Sequence, residues 1–255
     1  MKATMKSAFT LVELLVVMAI LGILAALLLS ALSAAIGSAR RLTCLNNLRQ
    51  INAGIRMYYD DSNDASPTSY HPQGTPMMAY RKRIESYVGV KGPSSPQDKI
   101  FACPADTFFY YDSSTNGDSY FTNAPQHEYA KWGYTSYWFN GNNVPDRGDD
   151  PPRLGIAGVK LSAIKEPTKT LLVFEAPAFS PYSWHEPRRG EGPQFNPNPS
   201  FNDAKDVVSF VDGHASYIKM YLPEVPGGWL PCQCDPPASP SAPTMATGPS
   251  VMVVQ

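Results

Sequence analysis

The stretch FTLVELLVVMAILGILAALLL, from Phe9 to Leu29, decides the fold class of this 255-residue chain. It has about the 20 apolar residues that a helix needs to cross the hydrocarbon core of a bilayer. Lys2 and Lys6 precede it, so a secretory signal peptide is the competing interpretation. The apolar run is longer than the usual h-region of about 7 to 15 residues, and no good small-x-small cleavage site follows it, although residues 30–39 include small side chains. The segment therefore predicts a membrane-spanning helix.

One carboxylate, Glu13, lies within this apolar segment. A charge at the centre of a membrane helix costs about 2.5 to 3.5 kcal/mol on insertion scales, so a plain anchor would gain nothing from it. If the chain were cut just before Phe9, a new α-amino group would lie four residues from Glu13. The carboxylate of one subunit could then pair with the N-terminal amine of a neighbour, which favours assembly between subunits.

The phrase SAFTLVELLVVMAILGILAALL, residues 7–28, resembles the class III signal of type IV prepilins and type II secretion pseudopilins. The resemblance implies cleavage between Ala8 and Phe9 by a membrane aspartyl peptidase and N-methylation of Phe9. It also implies that Glu13, fifth in the mature chain, supports assembly. The sequence departs from the family at Ala8, where glycine is usual, and at Ser30, where many relatives have a helix-kinking proline.

The helical pattern continues beyond the apolar span. Apolar residues recur three or four positions apart at Leu42, Leu45, Leu48, Ile51 or Ile55, and Tyr58. The turn-forming residues 60–64 and Pro67 predict that the helix ends near Tyr59. We therefore expect a leader at 1–8 and a helix at 9–60, of which 9–29 spans the membrane and the second half packs on a globular body.

Residues 61–222 alternate short apolar runs with Gly, Pro, Asn and Asp clusters, which predicts short strands and turns. The clearest strands are Tyr134 to Phe139 and Lys169 to Ala176. Together with the long helix, they predict an α+β, pilin-like architecture in which the helix packs on a small antiparallel sheet. Residues 223–255 are rich in Pro, Ser and Ala and predict a flexible tail, with docking to another subunit as the alternative.

A hairpin is predicted where VVSFV and HASYIKM flank Asp212 and Gly213. Asp-Gly tolerates the positive φ angles of a two-residue type I′ turn. That turn would place Val208 and Phe210 opposite Tyr217 and Ala215, respectively, on one apolar face. We expect this hairpin to close the sheet.

Four phrases, IFACPAD, TSYWFNG, IKEPTKTLLVFE and VSFVDGH, also resemble a pilin-like family with a His-x9-Asp-Gly signature. The resemblance covers most of the chain but departs at the signature, because Asn202 stands ten positions before Asp212. The resemblance favours a disulfide between Cys44 on the helix and Cys103 in the first phrase, because Cys232 and Cys234 lie near the tail.

The residues alone leave the state of the four cysteines open, since Cys44, Cys103, Cys232 and Cys234 allow three full disulfide pairings. Zinc is the competing interpretation. It is less favoured because Cys232-x-Cys234 is not the usual Cys-x2-Cys pair and the other two cysteines are far apart in sequence.

No other metal or cofactor is expected, with calcium as a minor alternative. Asp112, Asn116 and Asp118 offer the oxygen ligands that calcium prefers, but they do not complete a twelve-residue EF-hand loop. No nucleophile elbow, zinc-protease helix, Walker A loop or dinucleotide fingerprint is present, so no enzymatic activity is predicted. The histidines, at positions 71, 127, 185 and 214, have no ligand spacing.

The sequence thus predicts a structural subunit of a type IV pilus or type II secretion-like filament. Its expected partners are related pilin subunits, prepilin peptidase, an inner-membrane assembly platform and lipid. A formal net charge of −1 argues against nucleic acid. We expect a single-pass protein of the inner membrane with an extracytoplasmic C-terminal domain, later in a periplasmic or surface filament. The alternatives are a membrane-anchored glycan-binding module, with Trp132, Trp138 and Trp184 as a stacking platform, and an anchored enzyme.

Overall fold

The computed structural model places two helices and six strands in the residues that it describes. The described residues are 10–67, 76–111, 120–141, 155–179, 182–186 and 204–220. Helix α1 spans Leu11–Asp61 and helix α2 spans Pro76–Ile84. The chain divides into two compact units between Ala39 and Arg40, inside α1. The second half of α1 therefore belongs to the same unit as the sheets, and the helix ends one residue beyond the predicted bound of 60.

The buried face of α1 is one stripe in its second half. Its buried apolar residues are Cys44, Leu48, Ile51, Ile55 and Tyr59. The predicted stripe is confirmed at its centre but wrong at Leu42, whose side chain is 64% exposed. A helix turns by about 100° per residue, so Leu42 lies about 200° from Cys44 and faces away from the buried side.

The strands form two antiparallel sheets. They are β1 (Phe109–Tyr111), β2 (Tyr120–Thr122), β3 (Tyr137–Phe139), β4 (Leu171–Glu175), β5 (Lys205–Phe210) and β6 (Ala215–Lys219). β1 pairs with β2, and the other four form a sheet in the order β3-β4-β5-β6. The α+β, pilin-like arrangement of a long N-terminal apolar helix and a small antiparallel sheet is confirmed.

Strand β3 is shorter than the run from Tyr134 to Phe139 predicts. Gly133 and Tyr134 have positive φ angles of 65° and 52°, so the chain turns there instead of extending. This turn follows a short 3-10 helix at Ala130–Trp132. The buried Arg81 side chain donates to the carbonyl oxygens of Gly133 and Tyr134 and holds the turn in place.

The β5–β6 hairpin has a different register from the predicted one. Val208 lies opposite Ser216, and Ala215 lies opposite Ser209 instead of Phe210. Gly213, with φ of 105°, donates its N–H to the Phe210 carbonyl at 3.0 Å, and the loop contains three residues instead of two. A three-residue loop with glycine at the positive φ position shifts the pairing by one residue, so the predicted face is wrong.

Both faces of the four-stranded sheet are buried. On one face, Val173 of β4 and Val207 of β5 join the main core with the second half of α1. On the other face, Phe174 and Val208 pack in a smaller core with Met77 of α2. All five residues of β4 are buried, including Glu175, which places a carboxylate inside the body.

Candidate functional site

The start of α1 is fixed by three reciprocal hydrogen bonds between Thr10 and Glu13. The backbone N–H and the hydroxyl of Thr10 donate to Glu13 Oε2 at 2.9 and 2.7 Å, and the Glu13 N–H donates to the Thr10 hydroxyl at 3.2 Å. This is a capping box, which satisfies donors that the first helical turn leaves free. The Thr-x-x-Glu spacing in the sequence is the signal for this capping box, and sequence reasoning missed it. Ala8 and Phe9 lie outside the described residues.

The first part of α1 exposes an unbroken apolar surface. The large apolar side chains between Leu11 and Leu29 are 46% to 78% exposed. Among the described residues, α1 is the helix that is long and apolar enough to cross a membrane. It continues through Ser30, whose hydroxyl donates to the Leu27 carbonyl at 2.9 Å. Such a surface needs lipid or other apolar helices around it.

In the body, α1 is linked covalently to the segment that precedes β1. Cys44 and Cys103 form a disulfide with Cα atoms 5.3 Å apart. The Cys103 N–H donates to the Ser136 hydroxyl at 2.9 Å. Asn47, one turn beyond Cys44, donates to the Ala102 carbonyl at 3.1 Å. Both cysteines are completely buried.

A buried carboxylate and imidazole lie against this disulfide. Glu175 Oε1 is 2.9 Å from His185 Nε2, and the two side chains are 0% and 3% exposed. The same His185 nitrogen is 3.8 Å from Cys103 Sγ. Glu175 Oε2 accepts the Val207 N–H at 2.9 Å, which fixes the carboxylate. One ligand atom from each of Cys44, Cys103, Glu175 and His185 lies within 4.8 Å of the others, so these four residues are the candidate metal ligands of the described chain.

A second carboxylate, Asp206, is buried in strand β5 next to Glu175. It is 0% exposed, and within the described part of the chain neither of its oxygens has a hydrogen-bond partner. Burial, and secondarily the negative charge of Glu175, raise the pKa of the Asp206 carboxyl well above its usual value. Sequence reasoning missed both Glu175 and Asp206. The signal for Glu175 was an acidic residue at the end of the apolar run LLVF, whereas Asp206 follows Lys205 and carried no such signal.

Asp106 is the acceptor at the centre of another polar cluster. It receives the N–H groups of Gln126 and His127 at 2.8 and 3.1 Å. The Ser136 hydroxyl donates to Asp106 Oδ2 at 2.7 Å, and His127 Nδ1 lies 2.9 Å from the same oxygen. These contacts anchor the 3-10 helix Gln126–Glu128 to the residue that precedes β3. Serine and histidine both contact the carboxylate, so the cluster does not resemble a nucleophile with its base.

The remaining candidate residues are dispersed. His214 lies in the β5–β6 hairpin, stacks on Phe210 at 4.1 Å between ring centroids, and contacts Asp212 at 2.6 Å. Trp132 and Trp184 are each 4% exposed, so neither offers a face for stacking a sugar. Several predicted residues lie outside the described part of the chain: the calcium candidates Asp112, Asn116 and Asp118, together with His71, Asn202, Cys232, Cys234 and the tail at 223–255.

Comparison with known proteins gave one match, to the N-terminal segment. Neither the comparison with curated proteins nor the comparison with solved structures gave a match. The family model described as the prokaryotic N-terminal methylation motif matches residues 4–29, which include the apolar start of α1 and its capping box. Together with the apolar helix, the match is consistent with single-pass membrane anchoring. Residues 4–29 of this chain therefore match a prokaryotic N-terminal methylation motif, which is characteristic of the prepilin signals of type IV pilins and pseudopilins.

Proposed function

We propose that this chain is a structural subunit of a type IV pilus or a type II secretion-like filament. The observation that carries the proposal is the methylation motif at residues 4–29, on a helix whose apolar side chains are exposed. A signal of this kind implies processing by prepilin peptidase and assembly with related pilins. A structural role fits this motif, and we propose no catalytic activity for the chain.

The proposed maturation begins with insertion of α1 into the inner membrane. The peptidase then cuts between Ala8 and Phe9 and methylates the new N-terminus. Mature subunits leave the bilayer by packing their apolar helices against one another, which keeps the side chains between Leu11 and Leu29 away from water at every stage. An inner-membrane assembly platform and lipid are the other proposed partners.

Glu13 has a specific part in this proposal. Both bonds from Thr10 end on Glu13 Oε2. The N-terminal amine of a neighbouring subunit would meet the carboxylate at its other oxygen, Oε1. In an apolar bundle such a charge pair is strong because little water screens it, so it would fix the axial position of one helix against the next.

The body is proposed to lie outside the cytoplasm. The disulfide between Cys44 and Cys103 supports this placement, because disulfides persist in oxidising compartments. The structure does not favour the glycan-binding alternative, since Trp132 and Trp184 are buried. The third tryptophan of the predicted platform, Trp138, is half-buried, so the stacking surface that the alternative requires would have to come from Trp138 or from other residues.

The test is the mass and N-terminal sequence of the full chain purified from its native membranes. The expected result is a chain that begins with N-methylated Phe9. Ala8→Gly is the matched control, because it restores the residue usual at this position and should be processed at least as fully. An intact Met1 in the natural chain, with cleavage in the Ala8→Gly variant, would show that the natural protein is a permanent membrane anchor. An intact Met1 in both would exclude the prepilin assignment.

A further inference from the structure

The contact between the Glu175–His185 pair and the Cys44–Cys103 disulfide is not explained by the proposed filament role. A disulfide is uncharged and needs no ionisable neighbours. Burying a carboxylate and an imidazole costs free energy unless the groups they contact repay the lost hydration. Yet the Glu175 side chain is 0% exposed and the His185 side chain is 3% exposed. A ligand atom of each lies within 4.8 Å of the two sulfur atoms.

The four side chains form the ligand set of a closed zinc site. Two sulfurs, one imidazole nitrogen and one carboxylate oxygen are the donor types that Zn²⁺ takes in proteins. They come from four separate parts of the body: α1, the segment before β1, β4 and the segment Tyr182–Glu186. Their ligand atoms lie within 4.8 Å of one another. Complete burial of both cysteines leaves no open position for substrate, as in structural zinc sites.

The distances fit a tetrahedral ion once the sulfurs are separated. In such a site the two sulfurs lie about 3.8 Å apart and the nitrogen and oxygen about 3.3 Å apart. His185 Nε2 and Glu175 Oε1 are already 2.9 Å apart, and Nε2 is 3.8 Å from Cys103 Sγ. The Val207 N–H donates to Glu175 Oε2, which leaves Oε1, the oxygen that contacts His185, to bind the metal. A hydrogen bond to the other oxygen is the outer contact that orients a metal-binding carboxylate.

We propose that Cys44, Cys103, Glu175 and His185 bind one Zn²⁺ ion when the disulfide is reduced. The oxidised chain holds the disulfide and the reduced chain holds the ion, so the two states exclude each other. Either one ties α1 to the segment before β1, and the ion also ties both to β4. This inference is independent of the filament assignment, since all four residues belong to the second compact unit.

Exchange between the disulfide and the bound ion needs a reductant that supplies two electrons. A phosphine reductant gives two electrons to the disulfide and becomes a phosphine oxide, whose oxygen comes from water, while the two sulfurs become thiols. Zn²⁺ then binds the two thiolates and releases their two protons, so that binding weakens as the pH falls. Removal of the ion by a chelator and oxidation by a disulfide oxidant, which accepts the two electrons, restores the disulfide.

The experiment uses the full chain in detergent, with Cys232→Ser and Cys234→Ser so that these cysteines cannot contribute thiolates. The protein is reduced with tris(2-carboxyethyl)phosphine without oxygen, given a small excess of Zn²⁺, desalted and analysed for zinc by mass spectrometry. We expect about one zinc per reduced chain and almost none per oxidised chain. Co²⁺ in place of Zn²⁺ should give thiolate-to-metal charge-transfer absorption, a signature that surface carboxylates cannot produce.

Substitutions of the proposed ligands test which residues bind the ion. Glu175→Gln and His185→Asn should each weaken zinc binding by more than about tenfold, because even residues outside the ligand set change affinity by that much. His214→Asn is the matched control, since His214 also contacts a carboxylate but lies in the exposed hairpin. Circular dichroism monitors folding in every sample, and the cobalt spectrum of the chain with natural Glu175 and His185 provides a test that needs neither variant.

Three results would overturn the proposal. The first is a reduced chain that takes up no zinc, whether it stays folded or unfolds. The second is zinc binding without thiolate absorption from cobalt. The third is binding that Glu175→Gln and His185→Asn, both folded, leave unchanged.

Discussion

At the residue scale, Asp206 makes the stability of the body depend on pH. Its usual pKa is 3.8, and burial raises it in the folded chain. Between these two pKa values the unfolded chain is ionised while the folded chain keeps the proton. The folded state therefore binds more protons, and the free energy of unfolding falls as the pH rises through this window by up to about 1.4 kcal/mol per pH unit.

Asp206→Asn removes this titration, because an amide is neutral at every pH. We expect the variant to match the natural chain near pH 4 and to be more stable at pH 7, with a difference that grows across the interval. Urea unfolding of the full chain in detergent, followed by tryptophan fluorescence at several pH values, measures it. The same difference at pH 4 and pH 7 would show that Asp206 does not change its protonation between the folded and unfolded states.

Asp106 supplies the control, since its carboxylate is equally buried but is contacted by several donors. Asp106→Asn loses an acceptor for those donors and should lower the free energy of unfolding at neutral pH by about 1–3 kcal/mol. The two substitutions are chemically identical and are expected to have opposite signs at pH 7. The difference lies in the hydrogen-bond partners, which the sequence does not show.

At the scale of elements, the N-terminus of α1 allows two explanations for Glu13. The carboxylate completes the capping box with Thr10, and it is also the proposed partner of a neighbouring amine. Glu13→Gln separates these roles, because glutamine still accepts the Thr10 N–H in a capping box but carries no charge. Thr10→Ala does the reverse, removing the hydroxyl at a helix-stability cost of about 0.5–2 kcal/mol and keeping the charge.

We expect Glu13→Gln to insert into the membrane and to be impaired in filament assembly, whereas Thr10→Ala should assemble close to normally. Filament yield after shearing, compared with the amount of subunit in the membrane, measures both. Normal filaments from Glu13→Gln would eliminate charge pairing. An equal defect in the two variants would assign Glu13 to the start of the helix.

The elements differ in how far local sequence specified them. α1 was predictable in type and extent, because its apolar run and its helical spacing repeat over many turns and are ended by a cluster of turn-forming residues. The register of the β5–β6 hairpin was not. Asp212-Gly213 suits both a two-residue and a three-residue loop, and the packing of Ala215 and Tyr217 in the same core as Val207 selects the second.

At the scale of the whole molecule, the disulfide joins parts of the body that are 59 residues apart in the chain. Closing a loop of this length in the unfolded chain removes entropy worth about 4 kcal/mol. We expect Cys44→Ala with Cys103→Ala to lower the free energy of unfolding by about 2–5 kcal/mol. Urea unfolding in the presence of a chelator measures the disulfide alone, without bound metal.

The matched control is Cys232→Ala with Cys234→Ala, which removes the same number of thiols from the predicted tail. This variant, which also lacks two cysteines, should have the same midpoint of urea unfolding as the natural chain. An equal loss of stability in both double variants would show that the effect does not come from the bond between Cys44 and Cys103.

The sequence by itself determined the apolar run at residues 9–29, long enough to cross a membrane, together with the position of Glu13, the long helix and the α+β class. Each of these depends on composition and period within a continuous stretch, which local physics fixes. Tertiary structure alone decided that Glu175 and His185 meet the two sulfurs, that Asp206 has no hydrogen-bond partner among the described residues and that Trp132 and Trp184 are buried. Those outcomes depend on how distant segments pack, and no spacing along the chain records which of them become neighbours.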